Sequence, residues 1–142
     1  HGMGFVWPED GPNPHIDAAL GTLDAIEALA PAVVIPGHGE PFTDLGRALA
    51  TSRSRLTAFA ADPVKGARHA MKGLFVYALL DKGSMAVAQV ADYLARVPCH
   101  RRLGERFLRC EPRELADWLL ADLQRSGAIR LEAGRAWPTM AA

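Results

Sequence analysis

Residues 32–42, AVVIPGHGEPF, decide how the first part of the chain is interpreted. Ala32–Ile35 is a short apolar run rich in β-branched residues, which is typical of a strand covered on both faces of a sheet. The run leads into the loop Pro36-Gly37-His38-Gly39, where the chain turns polar. A histidine at this position is a candidate metal ligand, because ligand sites gather at the carboxyl ends of strands in α/β sheets.

Helices are predicted on both sides of this stretch. Apolar residues recur at helical spacing from Ile16 to Ala30, and Pro31 ends the pattern. After the loop, Thr43 or Asp44 can cap a second helix with apolar residues on one face. Helix, strand, glycine-rich loop and helix is an α/β arrangement.

The segment ADPVKG at residues 61–66 breaks the second helix, because proline and glycine interrupt helical structure. It therefore marks a predicted boundary between two domains, residues 1–62 and residues 63–142. The charges divide in a similar way. Residues 1–42 contain six acidic residues and no Lys or Arg, whereas residues 43–142 contain all 16 basic residues against ten acidic ones.

The second domain is predicted to be mainly helical. Apolar stripes indicate helices over residues 67–80 and 111–126, and Ser84 is predicted to cap a shorter helix between them. Residues 98–110, PCHRRLGERFLRC, are basic and predicted to be irregular, with one helical turn or two.

The tail is predicted to form a β-hairpin. Ile129 and Leu131 alternate with polar residues, and Ala133-Gly134 supplies the turn. Three helices followed by a hairpin are the parts of a winged helix. The predicted fold class is therefore α+β, with an α/β part followed by a mainly helical winged-helix domain.

Composition excludes some classes of protein. No apolar run approaches the roughly 20 residues that a membrane span requires, and no signal segment is recognised at the N-terminus. Cys99 and Cys110 are too few and too widely spaced for a disulfide scaffold or a zinc ribbon, so both are predicted to be buried, reduced thiols. We expect a cytoplasmic protein.

The run VVIPGHGEPFTD, preceded by a helix and followed by a long Arg-bearing helix, resembles the C-terminal part of hydrolases of the metallo-β-lactamase superfamily. The likeness is strongest to enzymes similar to hydroxyacylglutathione hydrolase and to β-lactamase-like protein 2, whose α/β domain continues into a winged helix. The resemblance covers essentially the whole chain, and the Pro-Gly-His-Gly loop is its only sharp motif.

The resemblance implies that His38 is the last ligand of a two-metal site, usually a zinc site, and that Gly37 and Gly39 keep the loop open around it. Paired ions in such a site polarise the scissile oxygen and supply a hydroxide nucleophile. The implied substrates are thioesters, other esters or phosphodiesters, including small molecules and RNA.

The sequence departs from the family pattern in one decisive respect. The family's His-x-His-x-Asp-His signature, its further histidine and its bridging aspartate are absent, and the five histidines nowhere form such a pair: His1, His15, His38, His69 and His100. We therefore interpret the chain as a C-terminal fragment that is inactive alone. Its expected partner is the N-terminal part of the same protein, and no catalytic residue is assigned within it.

The other candidate residues have simpler interpretations. His15 is predicted to lie at the start of the first helix, while His69 and His100 are predicted to be solvated. Glu9 and Asp10 are assigned to a surface loop. Glu40 is the carboxylate nearest to His38 in the sequence, but we expect it to face solvent rather than to support a ligand.

Five arginines lie within 14 positions, opposed only by Glu105: Arg96, Arg101, Arg102, Arg106 and Arg109. This cluster suggests contact with solvent, with an acidic surface of the missing domain or with single-stranded nucleic acid. The helix over residues 111–126 has a net negative charge and would repel phosphates, which argues against binding to double-stranded DNA. The alternative function is therefore a winged-helix interaction module that binds single-stranded nucleic acid or a protein partner.

Overall fold

The computed structural model describes residues 6–36 and 40–139. The chain forms two compact units, His1–Gly66 (the N-terminal unit) and Ala67–Ala142 (the C-terminal unit). The described residues are mostly helical with one small sheet, which confirms the α+β class. Across these ranges, each helix is too short or too polar to span a membrane.

The helices are α1 Pro14–Leu29, α2 Leu45–Ala61, α3 Pro63–Lys82, α4 Val87–Arg96, α5 Pro98–Leu103 and α6 Pro112–Arg125. A π-helical turn, Gly104–Leu108, follows α5 and is called the π-turn below. The strands are β1 Met85–Ala86, β2 Ile129–Glu132 and β3 Arg135–Pro138, and they form an antiparallel sheet in the order β1-β3-β2.

The N-terminal unit is built on the packing of α1 against α2. Apolar side chains from both helices form its core, namely Ile16, Ala19, Leu23, Leu49, Leu56 and Phe59. At the surface, Arg53 of α2 donates to Asp24 at 2.7 Å and to Glu27 at 2.8 Å, which joins the two helices. The helical periodicity in this part of the sequence is therefore confirmed.

The segment Ala32–Ile35 differs from the prediction of a strand covered on both faces. Among the described residues, this segment makes one antiparallel bridge, between Val34 and Phe42. The side chains of Val33 and Ile35 are 53% and 80% exposed. The prediction of a covered strand is wrong for this structure, because the N-terminal unit supplies no described strand that would pair with these residues.

The C-terminal unit is centred on α6. Its buried side chains lie at helical spacing and include Leu115, Leu119 and Leu123. The α6 helix contacts α4, β2 and the π-turn. The α3 helix is tied to α6 by Lys72, whose Nζ donates to Asp122 at 2.9 Å. This ion pair and the bond from Arg125 hold the pKa of Asp122 below its usual value.

The strand β1 is a feature that the sequence analysis missed. Met85 and Ala86 pair with Ala136 and Arg135, so the chain stays extended up to the start of α4 at Val87. The residue at the N-cap position is therefore Ala86, and Ser84 lies outside the helix start. The predicted cap is therefore wrong. The Ser84 hydroxyl instead accepts hydrogen bonds from the Arg135 guanidinium at 3.0 and 3.1 Å.

The predicted C-terminal hairpin is confirmed. Strands β2 and β3 pair with Glu132 opposite Arg135, and Ala133 and Gly134 both adopt positive φ angles of 50° and 71°. Positive φ at both central residues is the geometry that a two-residue hairpin requires. Gly127, with φ of 74°, follows the end of α6.

Residues 98–110 are more ordered than predicted. Most of this segment forms α5 and the π-turn, because Leu103 and Phe107 are buried and fix its inner face. A Cβ atom at Gly104 would lie 3.1 Å from Leu115 Cδ2. The missing side chain at Gly104 thus allows the π-turn to approach α6 closely.

The burial of α6 generates a stability prediction. Leu119 is fully buried, so Leu119→Ala should lower the free energy of unfolding by about 2–5 kcal/mol through lost burial and an unfilled cavity. Urea denaturation followed by circular dichroism measures this change. The control is Gln124→Ala, at an exposed position on the same helix, which should change stability by less than about 0.5 kcal/mol. Equal effects would contradict the central role of α6.

Candidate functional site

His38, the predicted metal ligand, lies outside the described residues together with Gly37 and Gly39. The structure does describe both flanks of the loop. Val34 N–H donates to the Phe42 carbonyl at 2.8 Å, and Phe42 N–H donates to the Val34 carbonyl at 3.0 Å. This reciprocal pair joins the two ends of the segment that contains His38.

The start of α2 lies immediately after the loop. Asp44 caps this helix by accepting from the Arg47 N–H at 3.0 Å, and its carboxylate also pairs with the Arg47 guanidinium at 3.2 Å. Phe42, Asp44, Arg47 and Thr51 line a shallow cavity of about 190 Å³. The described surroundings of the loop therefore include a carboxylate, a guanidinium and one aromatic side chain.

The loop is also preceded by an exposed apolar segment. Leu29, at the end of α1, is 79% exposed. Val33 and Ile35, in the segment that follows, are also exposed to solvent. Exposed apolar side chains that are close together in the chain are typical of a surface that another element covers.

The described residues do not assemble a metal site by themselves. In residues 6–36 and 40–139, no group of three or more His, Cys, Asp or Glu side chains is arranged to hold a metal ion. Glu40 is exposed, as predicted. A metal bound at His38 would therefore need its remaining ligands from residues beyond those described.

Two of the other histidines lie on helices. His15 is in the first turn of α1, where its backbone N–H donates to the Asn13 side chain at 3.0 Å, so its predicted place at the start of the helix is confirmed. His69 is half-buried on α3 and lines a groove of about 320 Å³ with Lys72 and Tyr77. It is less solvated than predicted.

His100 was predicted to be solvated, and this prediction is wrong. His100 is only 2% exposed, and its ring lies edge-on to the ring of Tyr93, with 5.3 Å between the ring centroids. Its Nδ1 lies 3.5 Å from Cys99 Sγ. Among the described residues, no partner reaches its Nε2. The signal in the sequence was its spacing of three and seven residues from Leu103 and Phe107, which places it on the buried face.

The cysteines are free and half-buried. Their reduced state agrees with the prediction, while their burial is less complete than predicted. Cys110 lines a cavity of about 290 Å³ between the end of α4, the π-turn and the start of α6. Burial raises the pKa of the Cys110 thiol. No sequence pattern indicates this cavity, because helical spacing does not reveal where packing leaves a gap.

The arginine cluster lies on the surface of the C-terminal unit. Arg96 pairs with Asp92 at 3.0 Å, and Arg101 lies 4.0 Å from Glu105. On the neighbouring α6, Glu114 and Asp117 are exposed. The C-terminal unit therefore presents basic and acidic surfaces on adjacent elements.

Comparisons of the chain with models of protein families, with curated proteins and with solved structures found no match.

The buried His100 generates a prediction about pH. Burial lowers the pKa of His100 from 6.5 to about 4, so its neutral form is favoured in the fold and the unfolded chain binds the proton more tightly. The contribution of neutral His100 to the free energy of unfolding is complete above about pH 6.5. It is lost as the pH falls toward 4, and the total loss is about 3 kcal/mol.

The variant His100→Leu should remove this part of the acid sensitivity. Urea denaturation at about pH 7 and about pH 4.5 should show a smaller loss of stability in His100→Leu than in the unmodified chain. The control is His15→Leu, at an exposed position. An unchanged loss of stability in His100→Leu would contradict the assignment.

Proposed function

We propose that this chain is the C-terminal part of a metal-dependent hydrolase of the metallo-β-lactamase superfamily, in which His38 is a metal ligand. The observation that carries the proposal is the glycine-flanked His38 in a segment whose ends are joined by the Val34–Phe42 pair, between α1 and α2. Pairing of this kind fixes the two ends of a short loop, as a ligand-bearing loop requires.

The exposed apolar segment supports the same proposal. Val33 and Ile35, on either side of the bridged Val34, are exposed in the described N-terminal unit. In the proposed enzyme, the N-terminal part of the same protein covers these side chains with its sheet. Covering a side chain of this size contributes on the order of 1.5–3 kcal/mol, so the two parts would hold together partly through this contact.

The proposed metal is zinc, with two ions in the complete enzyme. The described residues do not form a ligand set, so no catalytic step is assigned to them. The role of this chain is to present His38 through the joined loop ends and to provide one wall of the site. The proposed substrates are thioesters, other esters and phosphodiesters, and the free cysteines agree with a reducing, cytoplasmic location.

The C-terminal unit is proposed to be a winged helix. Three features support this proposal: the element order α3-β1-α4-α5-π-turn-α6-β2-β3, the strand order β1-β3-β2 and the tight hairpin at Ala133-Gly134. In this arrangement α6 corresponds to the helix that enters the major groove in DNA-binding members. Its exposed Glu114 and Asp117 argue against that use here, because they would repel phosphates.

Replacement of His38 tests the proposal. In the protein expressed from its complete coding sequence, His38→Ala should lower the bound zinc measured by elemental analysis. Hydrolysis of a panel of thioester, ester and phosphodiester substrates should fall at least about 100-fold, because the metal and its activated water lose a ligand. The control is His15→Ala, which removes an exposed histidine of the N-terminal unit and should change neither quantity.

Unchanged zinc content and activity in His38→Ala would reject the assignment. Loss of both quantities in His15→Ala as well would show that the effect comes from the fold of the N-terminal unit and not from ligation.

A further inference from the structure

The C-terminal unit carries its net positive charge in one segment. Residues 67–142 contain 12 basic and eight acidic side chains, and residues 96–113 contain six arginines with only two acidic residues. The whole excess of four positive charges therefore lies in these 18 positions. All six arginines are exposed, and together they are called the arginine face here: Arg96, Arg101, Arg102, Arg106, Arg109 and Arg113.

The arginine face is carried by a firmly anchored backbone. Leu103 and Phe107 are buried on the inner side of α5 and the π-turn, so Arg101, Arg102 and Arg106 are exposed on packed elements. The ion pairs of Arg96 with Asp92 and of Arg101 with Glu105 are exposed. Exposed pairs of this kind are weak, so a polyanion can displace them at little cost.

A cavity opens within the same segment. It has a volume of about 290 Å³, and its walls are mainly apolar, from Leu94, Ala95, Pro112 and Leu115. Arg101 and Glu105 also line it, and so does Cys110. This size is close to the lower end of the range for small-molecule pockets. The cavity thus provides an apolar space for a flat group, next to cationic side chains and to hydrogen-bonding groups.

The choice of arginine points to phosphate groups. Residues 96–113 contain no lysine, although lysines occur elsewhere in the C-terminal unit. Arginine binds phosphate with two parallel hydrogen bonds and also stacks its planar guanidinium on nucleobases, which lysine cannot do. A chain of phosphates that carries planar bases matches both the charge and the cavity.

A single strand fits this surface better than a duplex. The bases of a duplex are stacked and paired, so none would enter the cavity, whereas bases of a single strand can be splayed out and bound individually. The exposed Glu114 and Asp117 on α6 also disfavour the broad approach of two phosphate backbones.

We propose that the arginine face binds single-stranded nucleic acid, with its phosphates on the exposed arginines and one unstacked base in the cavity lined by Ala95, Arg101 and Leu115. This proposal does not depend on the assignment of His38. Glu105, which also lines the cavity, supplies a hydrogen-bond acceptor for amino groups on the bound base.

Charge reversal tests the phosphate contacts. The full chain is titrated into a fluorescently labelled single-stranded RNA of about 12 nucleotides at several salt concentrations, starting near 50 mM, and fluorescence anisotropy is measured. The double variant Arg101→Glu, Arg102→Glu should bind at least about 10-fold more weakly. The slope of log K against log salt should fall by about 1.4, which corresponds to two phosphate contacts.

The control has the same change in net charge. Lys65→Glu with Lys82→Glu replaces two exposed cations outside the arginine face and should alter binding by less than about 2-fold. Equal weakening by both double variants would overturn the proposal, as would undetectable binding of the unmodified chain near 50 mM salt.

Filling the cavity tests the base contact. Ala95→Phe places a large apolar group in the cavity without changing charge, so binding should weaken about 10-fold while the salt dependence stays the same. Protection of Cys110 gives a second measurement that does not depend on this variant. In a Cys99→Ser background, the RNA should slow modification of Cys110 by a thiol reagent, because the bound base covers the sulfur.

Two further outcomes would overturn the proposal. One is duplex RNA or DNA that binds as tightly as the single strand. The other is a combination of two results: an oligoglutamate peptide of equal charge competes as strongly as unlabelled RNA, and the RNA leaves the reactivity of Cys110 unchanged. This combination would show that the surface attracts any polyanion and binds no base.

Discussion

Burial of the leucine stripe on α6 is the interaction on which the C-terminal unit depends. Leu115, Leu119 and Leu123 lie on one face of a helix that contacts α4, β2 and the π-turn, and the Lys72–Asp122 pair joins the same helix to α3. The ends of α6 are fixed as well. Glu111 and Glu114 form a reciprocal capping box at its start, and Gly127 follows its end. Because α6 is fixed so fully, the elements around it have defined positions.

The position of the arginine face follows from this packing. The π-turn approaches α6 at Gly104, and Leu103 and Phe107 are buried next to it. The same approach leaves the cavity between α4, the π-turn and α6. Close packing at Gly104 and incomplete packing beside Cys110 are thus two consequences of one arrangement, and Arg101 of the arginine face lines the cavity that results.

The described part of the N-terminal unit has a smaller buried core than the C-terminal unit. The α1–α2 core and the Arg53 ion pairs account for its two helices, whereas the segment from Ala32 to Phe42 has one described backbone bridge and bare apolar side chains. The described residues of this unit hold no group of three or more side chains arranged to bind a metal ion. What it supplies, under the proposed function, is the histidine and the backbone pairing on either side of its loop.

Much of the fold was predictable from local patterns. The spacing of Leu115, Leu119 and Leu123 predicted α6, and Ala133-Gly134 predicted the hairpin, because helical periodicity and positive-φ turns depend on nearby residues. Features set by distant contacts were missed. The strand β1 exists because Met85 and Ala86 pair with residues some 50 positions later. The burial of His100 was missed for another reason: its spacing from Leu103 and Phe107 indicates a buried position, but the basic segment around it suggested solvent.

The candidate site was predictable only in part. The sequence identifies His38 and its loop, and the structure adds the Val34–Phe42 pair that joins the loop ends. The apolar run at Ala32–Ile35 suggested a covered strand, since β-branched residues favour that environment, but coverage requires a partner element that local sequence cannot specify. The cavity in the arginine face was not predictable, since it arises where three elements meet.

The most direct test of the proposed function is the location of zinc in a crystal structure. The protein should be expressed from its complete coding sequence and crystallised with zinc, and the anomalous signal should be recorded at the zinc absorption edge. We expect a zinc ion at about 2.0–2.1 Å from a ring nitrogen of His38, with its other ligands from residues outside 6–36 and 40–139. Zinc ions bound at full occupancy without contact to His38 would contradict it.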